Sequence, residues 1–172
     1  MRLAVLKERA GEPRVAATPE TVKKLKGLGL EVVVQAGAGA HAAIADADFV
    51  AAGATIAPDP AAAVEGAGIV FTVRPPEVAA LPRGSLLVCI AGALTDPALV
   101  PALAAAGVDA VAMELLPRIT RAQSMDVLSS QANLAGYRAV VEAAGAFDRG
   151  FPMMMTAAGT VPPARVFVIG AG

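Results

Sequence analysis

The sequence is poor in the residues that most often announce a function. Its 172 residues include one cysteine, one histidine, one tyrosine and no tryptophan. The lone thiol, Cys89, can form no internal disulfide, and its apolar run reads as core in a reducing, cytoplasmic setting. Fourteen lysines and arginines stand against 15 acids, a net charge of −1. No basic field is therefore available for nucleic acid or an acidic membrane surface. Aromatics make up only 3%, too few for the stacking platforms that hold single strands. Long hydrophobic runs are also missing, although the hydrophobic fraction is 56% and the mean hydropathy +0.62. Much of that is alanine, and the longest uncharged stretches reach about a dozen residues where a spanning helix needs about 20. No transmembrane segment is expected, and MRLAVLKER is too short in apolar residues for a signal peptide.

What is present is a regular alternation. Short aliphatic runs at Leu3–Leu6, Glu31–Gln35, Ile69–Val73, Leu86–Ile90 and Asp109–Met113 read as strands. Alanine-rich stretches at Pro19–Leu28, Asp46–Ala52, Pro60–Glu65 and Pro97–Ala106 read as the helices between them. Thr18-Pro19-Glu20 signs one helix start with an N-cap, a proline in the first turn and an acid. Asp96-Pro97 repeats the device, and Gly107 closes that helix. Apolar strands separated by helices imply right-handed crossovers and a mostly parallel sheet. The spacing predicts a doubly wound α/β domain over residues 1–125. From Val127 to Phe147 proline disappears and Leu134, Tyr137, Val141 and Ala144 recur at helical spacing. Residues 126–149 are thus expected to form a long connecting helix, with a small-residue stripe at Ala135, Ala139 and Ala143. A proline-rich loop and a strand at Arg165–Ile169 follow, and the chain closes on Gly170-Ala171-Gly172.

A strand running straight into Gly-x-Gly is how a dinucleotide fold opens, because the glycines let the backbone approach a pyrophosphate. Residues 150–172 are therefore read as the start of a second, Rossmann-type domain that is cut short. Gly37-Ala38-Gly39-Ala40-His41-Ala42 also follows a strand, but no convincing helix or acidic ribose ligand comes after it. A tight turn is the expectation there, and His41 lacks an orienting partner for catalysis. The richest segment is Pro117 to Gln131, where two arginines, an amide, a carboxylate and several hydroxyls gather after a predicted parallel strand. Residue types alone leave two readings open: a ligand loop, or a solvated loop with Asp126 capping the next helix.

The stretch PRITRAQSMDVLSSQANLAGYRAVVEAA closely resembles the nicotinamide-binding signature of proton-translocating NAD(P) transhydrogenase, in its peripheral NAD(H)-binding component. KERAGEPRVAATPETVKKLKGLG and MMMTAAGTVPPARVFVIGAG match as well, so the resemblance runs along essentially the whole chain. It implies a component with two α/β domains, usually a homodimer. Such a component binds NAD(H) and presents it to a separate NADP(H)-binding component docked on a membrane proton channel. The implied location is cytoplasmic, peripheral to the inner membrane through that partner. Carried over by residue, Arg118, Gln123 and Asp126 hold the nicotinamide and its carboxamide. Ser129 is a nearby hydroxyl ligand, and Ile119, Thr120, Arg121, Ser124 and Met125 complete the loop. Gly170 and Gly172 begin the pyrophosphate turn. Hydride passes directly between nicotinamides, so no general base is implied, only orientation that brings the reacting carbons to about 3–3.5 Å. No catalytic side chain in the strict sense and no metal are expected, and the fragment alone is expected to be inactive.

The rival is alanine dehydrogenase, which shares the early Arg14-Val15-Ala16 to Pro19-Glu20 motif. That enzyme uses a histidine beside the sheet and a lysine. Here Arg74 occupies the lysine's approximate place, and the run Leu86–Ala91 has no histidine. A non-catalytic binding domain would explain the scarcity of acid–base residues but leaves the Arg118–Asp126 cluster without a purpose.

Overall fold

The computed structural model describes residues 1–170. Its contacts divide the chain into two compact units, Met1–Ile119 and Thr120–Gly172.

The first unit is built on six strands: β1 (Arg2–Val5), β2 (Glu31–Gln35), β3 (Thr55–Ala57), β4 (Ala67–Phe71), β5 (Leu86–Cys89) and β6 (Asp109–Ala112). Every pairing is parallel, and the order across the sheet is β3-β2-β1-β4-β5-β6. This is the Rossmann order, in which the winding reverses between β1 and β4. Four helices cover the sheet: α1 (Pro19–Gly27), α2 (Asp46–Ala51), α3 (Pro60–Val64) and α4 (Leu99–Ala106). Successive strand side chains point to opposite faces, so Leu3, Val5, Val32 and Val34 pack with Val22 of α1 and Phe49 of α2. Ala4, Val33, Val70, Leu87 and Cys89 pack with Ala63 of α3 and Leu103 of α4 on the other. Leu3, Val5, Val33, Val34, Val70 and Leu87 are fully buried. Burial on both faces is why these strands read as unbroken aliphatic runs.

Local chemistry sets the helix starts. The Thr18 hydroxyl accepts from Thr21 N (3.3 Å) with Pro19 in the first turn. Asp59 does the same for α3, accepting from Ala62 N (2.8 Å) ahead of Pro60. The Asp96-Pro97 start is corrected: α4 begins at Leu99, because Asp96 Oδ1 takes Ala98 N (3.0 Å) and closes a turn first. β3 has only three residues between Gly53 and Pro58 and carries no period that a sequence reading could detect.

The second unit opens with a 3-10 turn, Thr120–Met125, followed by α5 (Val127–Ala146). β7 (Met154–Thr156) and β8 (Gly159–Val161) then pair as an antiparallel hairpin, within the segment expected to be loop. Gly159 lies at φ +138°, a value open to glycine at this turn. The expected strand Arg165–Ile169 is not formed among the described residues. A strand exists only through a partner's N–H and C=O groups, and here Val166, Phe167, Val168 and Ile169 lie exposed. Gly170 has φ +88°, and Gly172 lies outside the described residues.

Candidate functional site

In an open parallel sheet, ligands bind beyond the carboxyl ends of the strands, at the point where the order reverses. The switch point between β1 and β4 holds a cavity of about 230 Å³, lined by Leu6, Lys7, Glu8, Gln35, Thr72 and Arg74 among others. Most of its polar groups are engaged, although the Thr72 hydroxyl is buried without a hydrogen-bond partner among the described residues. Glu8 accepts from Val73 N (2.6 Å) and Arg74 N (3.1 Å), and Gln35 Oε1 accepts from Lys7 N (3.0 Å). Glu12 grips Arg14 fork to fork, with Nε and Nη2 each 2.7 Å from a carboxylate oxygen. Arg74 Nε lies 3.5 Å from the same carboxylate, and Arg9 pairs with Glu77 at 2.8 Å.

The electrostatics follow from those contacts. The Arg14 hydrogen bond holds the Glu12 carboxyl well below its usual range, at about 2, against the opposing effect of burial. Glu8 moves the other way: burial raises it, and the amides of Val73 and Arg74 only partly compensate. Burial, then the charges of Glu114 and Glu8, push the Cys89 thiol to about 12. It stays protonated at neutral pH and is no nucleophile.

The Gly37–Ala42 turn is also spoken for. Both Asp46 carboxylate oxygens accept from Gly37 N, at 2.9 and 3.0 Å. A Cβ on Gly39 would lie 2.7 Å from Ile44 O and 2.8 Å from the Phe49 ring. That glycine answers to core packing, and one 3-10 turn, Ala40–Ala42, follows it rather than a helix that could receive a phosphate. His41 is exposed.

The segment after β6 is built differently. Glu114, in a 3-10 turn over Met113–Leu115, accepts from Ala91 N (2.9 Å) and Ala93 N (3.0 Å). Burial raises its carboxyl, but the donors at Ala93, Glu114, Ala91 and Gly92 outweigh that and leave it lowered. At the end of the first unit, Arg118 is exposed and Ile119 half exposed. In the second unit Thr120, Arg121, Gln123, Ser124 and Met125 are exposed around a buried Ala122. Among the described residues the side chains of Arg118, Arg121 and Gln123 make no hydrogen bond or ion pair. Asp126 and Ser129 are brought together: Asp126 Oδ1 accepts from Ser129 N (2.9 Å) and Oδ2 from the Ser129 hydroxyl (2.6 Å). Asp126 therefore N-caps α5.

Chemically, these exposed side chains offer cationic donors, one amide that both donates and accepts, and no base with an orienting partner. Among the described residues no group of His, Cys, Asp and Glu could hold a metal ion, and no helix is long and apolar enough to cross a membrane. Sequence reasoning missed Glu8, Glu12, Gln35 and Glu114. The available signal was weak: an acid within three residues of the end of β1 and of β6.

Comparison with known proteins places this geometry. The family model described as alanine dehydrogenase/PNT, N-terminal domain, matches residues 4–135, and the C-terminal domain model of the same family matches 139–172. A chain of Rhodospirillum rubrum that forms the first portion of its NAD(P) transhydrogenase subunit alpha is 56% identical, over 100% of this chain and 47% of the relative. An alanine dehydrogenase of Halomonas elongata is 35% identical, over 100% of this chain and 48% of its own. The crystal structure of transhydrogenase from Sinorhizobium meliloti superposes with a TM-score of 0.94 at 49% identity, over 100% of this chain and 52% of that one. The chain thus spans about half the length of the curated relatives it matches. With its six-stranded parallel sheet and both domain models in order along the sequence, it belongs to the alanine dehydrogenase/PNT family, on the transhydrogenase side.

Proposed function

We propose that the chain is part of the NAD(H)-binding component of a nicotinamide nucleotide transhydrogenase. In this reading Arg118, Ile119, Thr120, Arg121, Gln123, Ser124, Met125, Asp126 and Ser129 form the segment that meets the nicotinamide end. Gly170 and Gly172 open the pyrophosphate turn. One observation carries the proposal. At the rim Arg9 and Arg14 are paired with glutamates and the Val73 and Arg74 amides are taken by Glu8, whereas Arg118, Arg121 and Gln123 stand exposed and unpaired among the described residues. Exposed donors that no protein group occupies are available to a polar ligand.

Bound NADH supplies the hydride, which passes to NADP+ held by a partner component. This chain contributes orientation. Gln123 can donate and accept at a carboxamide, whereas Arg118 only donates. Asp126, tied to Ser129, fixes the start of α5 behind them. No proton leaves the reacting carbon, so the absence of a paired base costs nothing. Proton translocation belongs to a membrane component, which keeps this chain at the cytoplasmic side of the inner membrane. In this reading the complete component acts as a homodimer.

The test is reconstitution of the whole subunit with an NADP(H)-binding component and the membrane component. NADH oxidation coupled to reduction of an NADP+ analogue is the expected outcome. Alanine-dependent reduction of NAD+ without the partner would overturn the reading in favour of an amino-acid dehydrogenase.

A further inference from the structure

Arg118 is held at its root and open at its head, and the hold can be traced residue by residue. The parallel ladder between β5 and β6 runs from Leu86↔Asp109 to Cys89↔Ala112 and stops there. Beyond it, the Glu114 carboxylate bridges to the amides of Ala91 and Ala93 in the loop after β5. Gly92 in that loop, at φ +67°, has its carbonyl taken by Thr95 N (2.8 Å) and the Thr95 hydroxyl (2.9 Å), so the anchor is itself fixed. Leu116 N then bonds back to Met113 O, and Pro117 locks its own φ. Finally Ile119 N donates to Pro117 O (2.9 Å), closing a three-residue turn centred on Arg118. Glu114 is the side chain in this series that ties the segment after β6 to the loop after β5, and its two bonds fix backbone where the sheet no longer does.

We infer that Glu114 is a positioning residue for hydride transfer, setting where the Arg118 guanidinium leaves the sheet through its bridge to Ala91 and Ala93. It touches no reacting atom. A carboxylate suits the task because it presents one acceptor oxygen to each of two backbone donors, where a glutamine would turn its NH2 group towards one of them. The inference rests on the proposed role of Arg118.

The experiment is a double-mutant cycle in the whole subunit assembled with its NADP(H)-binding partner. Glu114→Gln is expected to slow hydride transfer about tenfold, the scale on which small misplacements act, while NADH affinity changes by no more than about threefold. In an Arg118→Ala background the Glu114→Gln effect is expected to vanish, since nothing remains to position. Glu114→Asp keeps the charge but is too short to bridge both amides; its expected slowing is intermediate, and it serves if the glutamine variant does not fold. Equal slowing in both backgrounds, or a normal rate in both Glu114 variants beside a slowed Arg118→Ala, overturns this inference alone. A normal rate in Arg118→Ala overturns the site reading beneath it.

Discussion

The rim of the sheet and the segment after β6 use similar residue types to opposite ends. At the rim, arginine meets glutamate and carboxylate meets backbone amide at 2.6–3.1 Å, so most of the charge around the cavity is internally paired. After β6, Arg118, Arg121 and Gln123 stand in solvent without partners among the described residues. Strand order alone would have put the ligand at the switch point of the first unit. A ligand there would have to displace the Glu8 bonds to Val73 and Arg74, which is why the proposed reading puts the nicotinamide end at the segment after β6 instead. Fold marks where a site can lie, and the chemistry of the side chains has to choose among the places it offers.

The sharpest way to break that contrast is to remove one residue from each side. In the whole subunit, Arg118→Ala is expected to slow hydride transfer roughly ten- to a hundredfold, the worth of a hydrogen bond to a charged group made in the reacting geometry. Stopped-flow transfer rates measure it, with a melting temperature near the parent's. Gly39→Ala is expected to do the reverse. Gly39 has an ordinary φ of −87°, so the added methyl is opposed by Ile44 and Phe49 rather than by backbone strain. Overpacking of this kind costs about 1–3 kcal/mol, read by denaturant titration, with transfer in the folded protein unchanged. Slowed transfer in Gly39→Ala would reinstate that turn as a nucleotide site.

Acid tests the rim further. Glu12 titrates near 2 in the folded protein against 4.5 in its unperturbed state. A depressed carboxyl stabilises the fold above its unfolded pKa and loses that contribution as pH falls from about 4.5 towards 2. Glu8, raised by burial, acts with the opposite sign, so the clean measure is the difference between the parent and Glu12→Gln. That difference is expected to be on the order of 2 kcal/mol at pH 7 and to shrink by pH 3. A difference independent of pH would mean that the Arg14 fork does not hold in solution.

Much of the first unit was legible in the sequence because its physics is local. Strands buried on both faces must be aliphatic throughout, and Thr18-Pro19 states a helix start by itself. β3 was too short to register, and the hairpin of β7 and β8 was hidden by three exposed strand residues on one side and a glycine on the other. The candidate site was legible as composition and through the resemblance carried by Pro117 to Ala144. That Glu8 would occupy amides 65 and 66 residues away, or Glu114 those at 23 and 21, follows from tertiary approach alone. The carboxylate–amide contacts of the rim were therefore invisible, and the open segment could be recognised only by its residues.

The smallest expected effect falls on Asp126, where the two regions' logics meet. Its carboxylate is tied inward, to Ser129 N and Oγ, yet it sits among residues assigned to the ligand. If it serves only as a cap, Asp126→Ala costs about 1 kcal/mol of stability and leaves transfer in the folded protein near the parent rate. If it also faces the nicotinamide, transfer slows beyond what the melt explains. Asp126→Asn separates the cases, because asparagine caps a helix about as well as aspartate but loses the charge. A stable Asp126→Asn subunit with slowed transfer assigns the carboxylate to the ligand. A stable one with normal transfer confines Asp126 to the helix, and the orienting role then rests on Arg118 and Gln123 alone. We expect the first outcome, by a factor of a few, because in the proposed reading Asp126 meets the nicotinamide end together with Arg118 and Gln123, and removing its charge alters the field there.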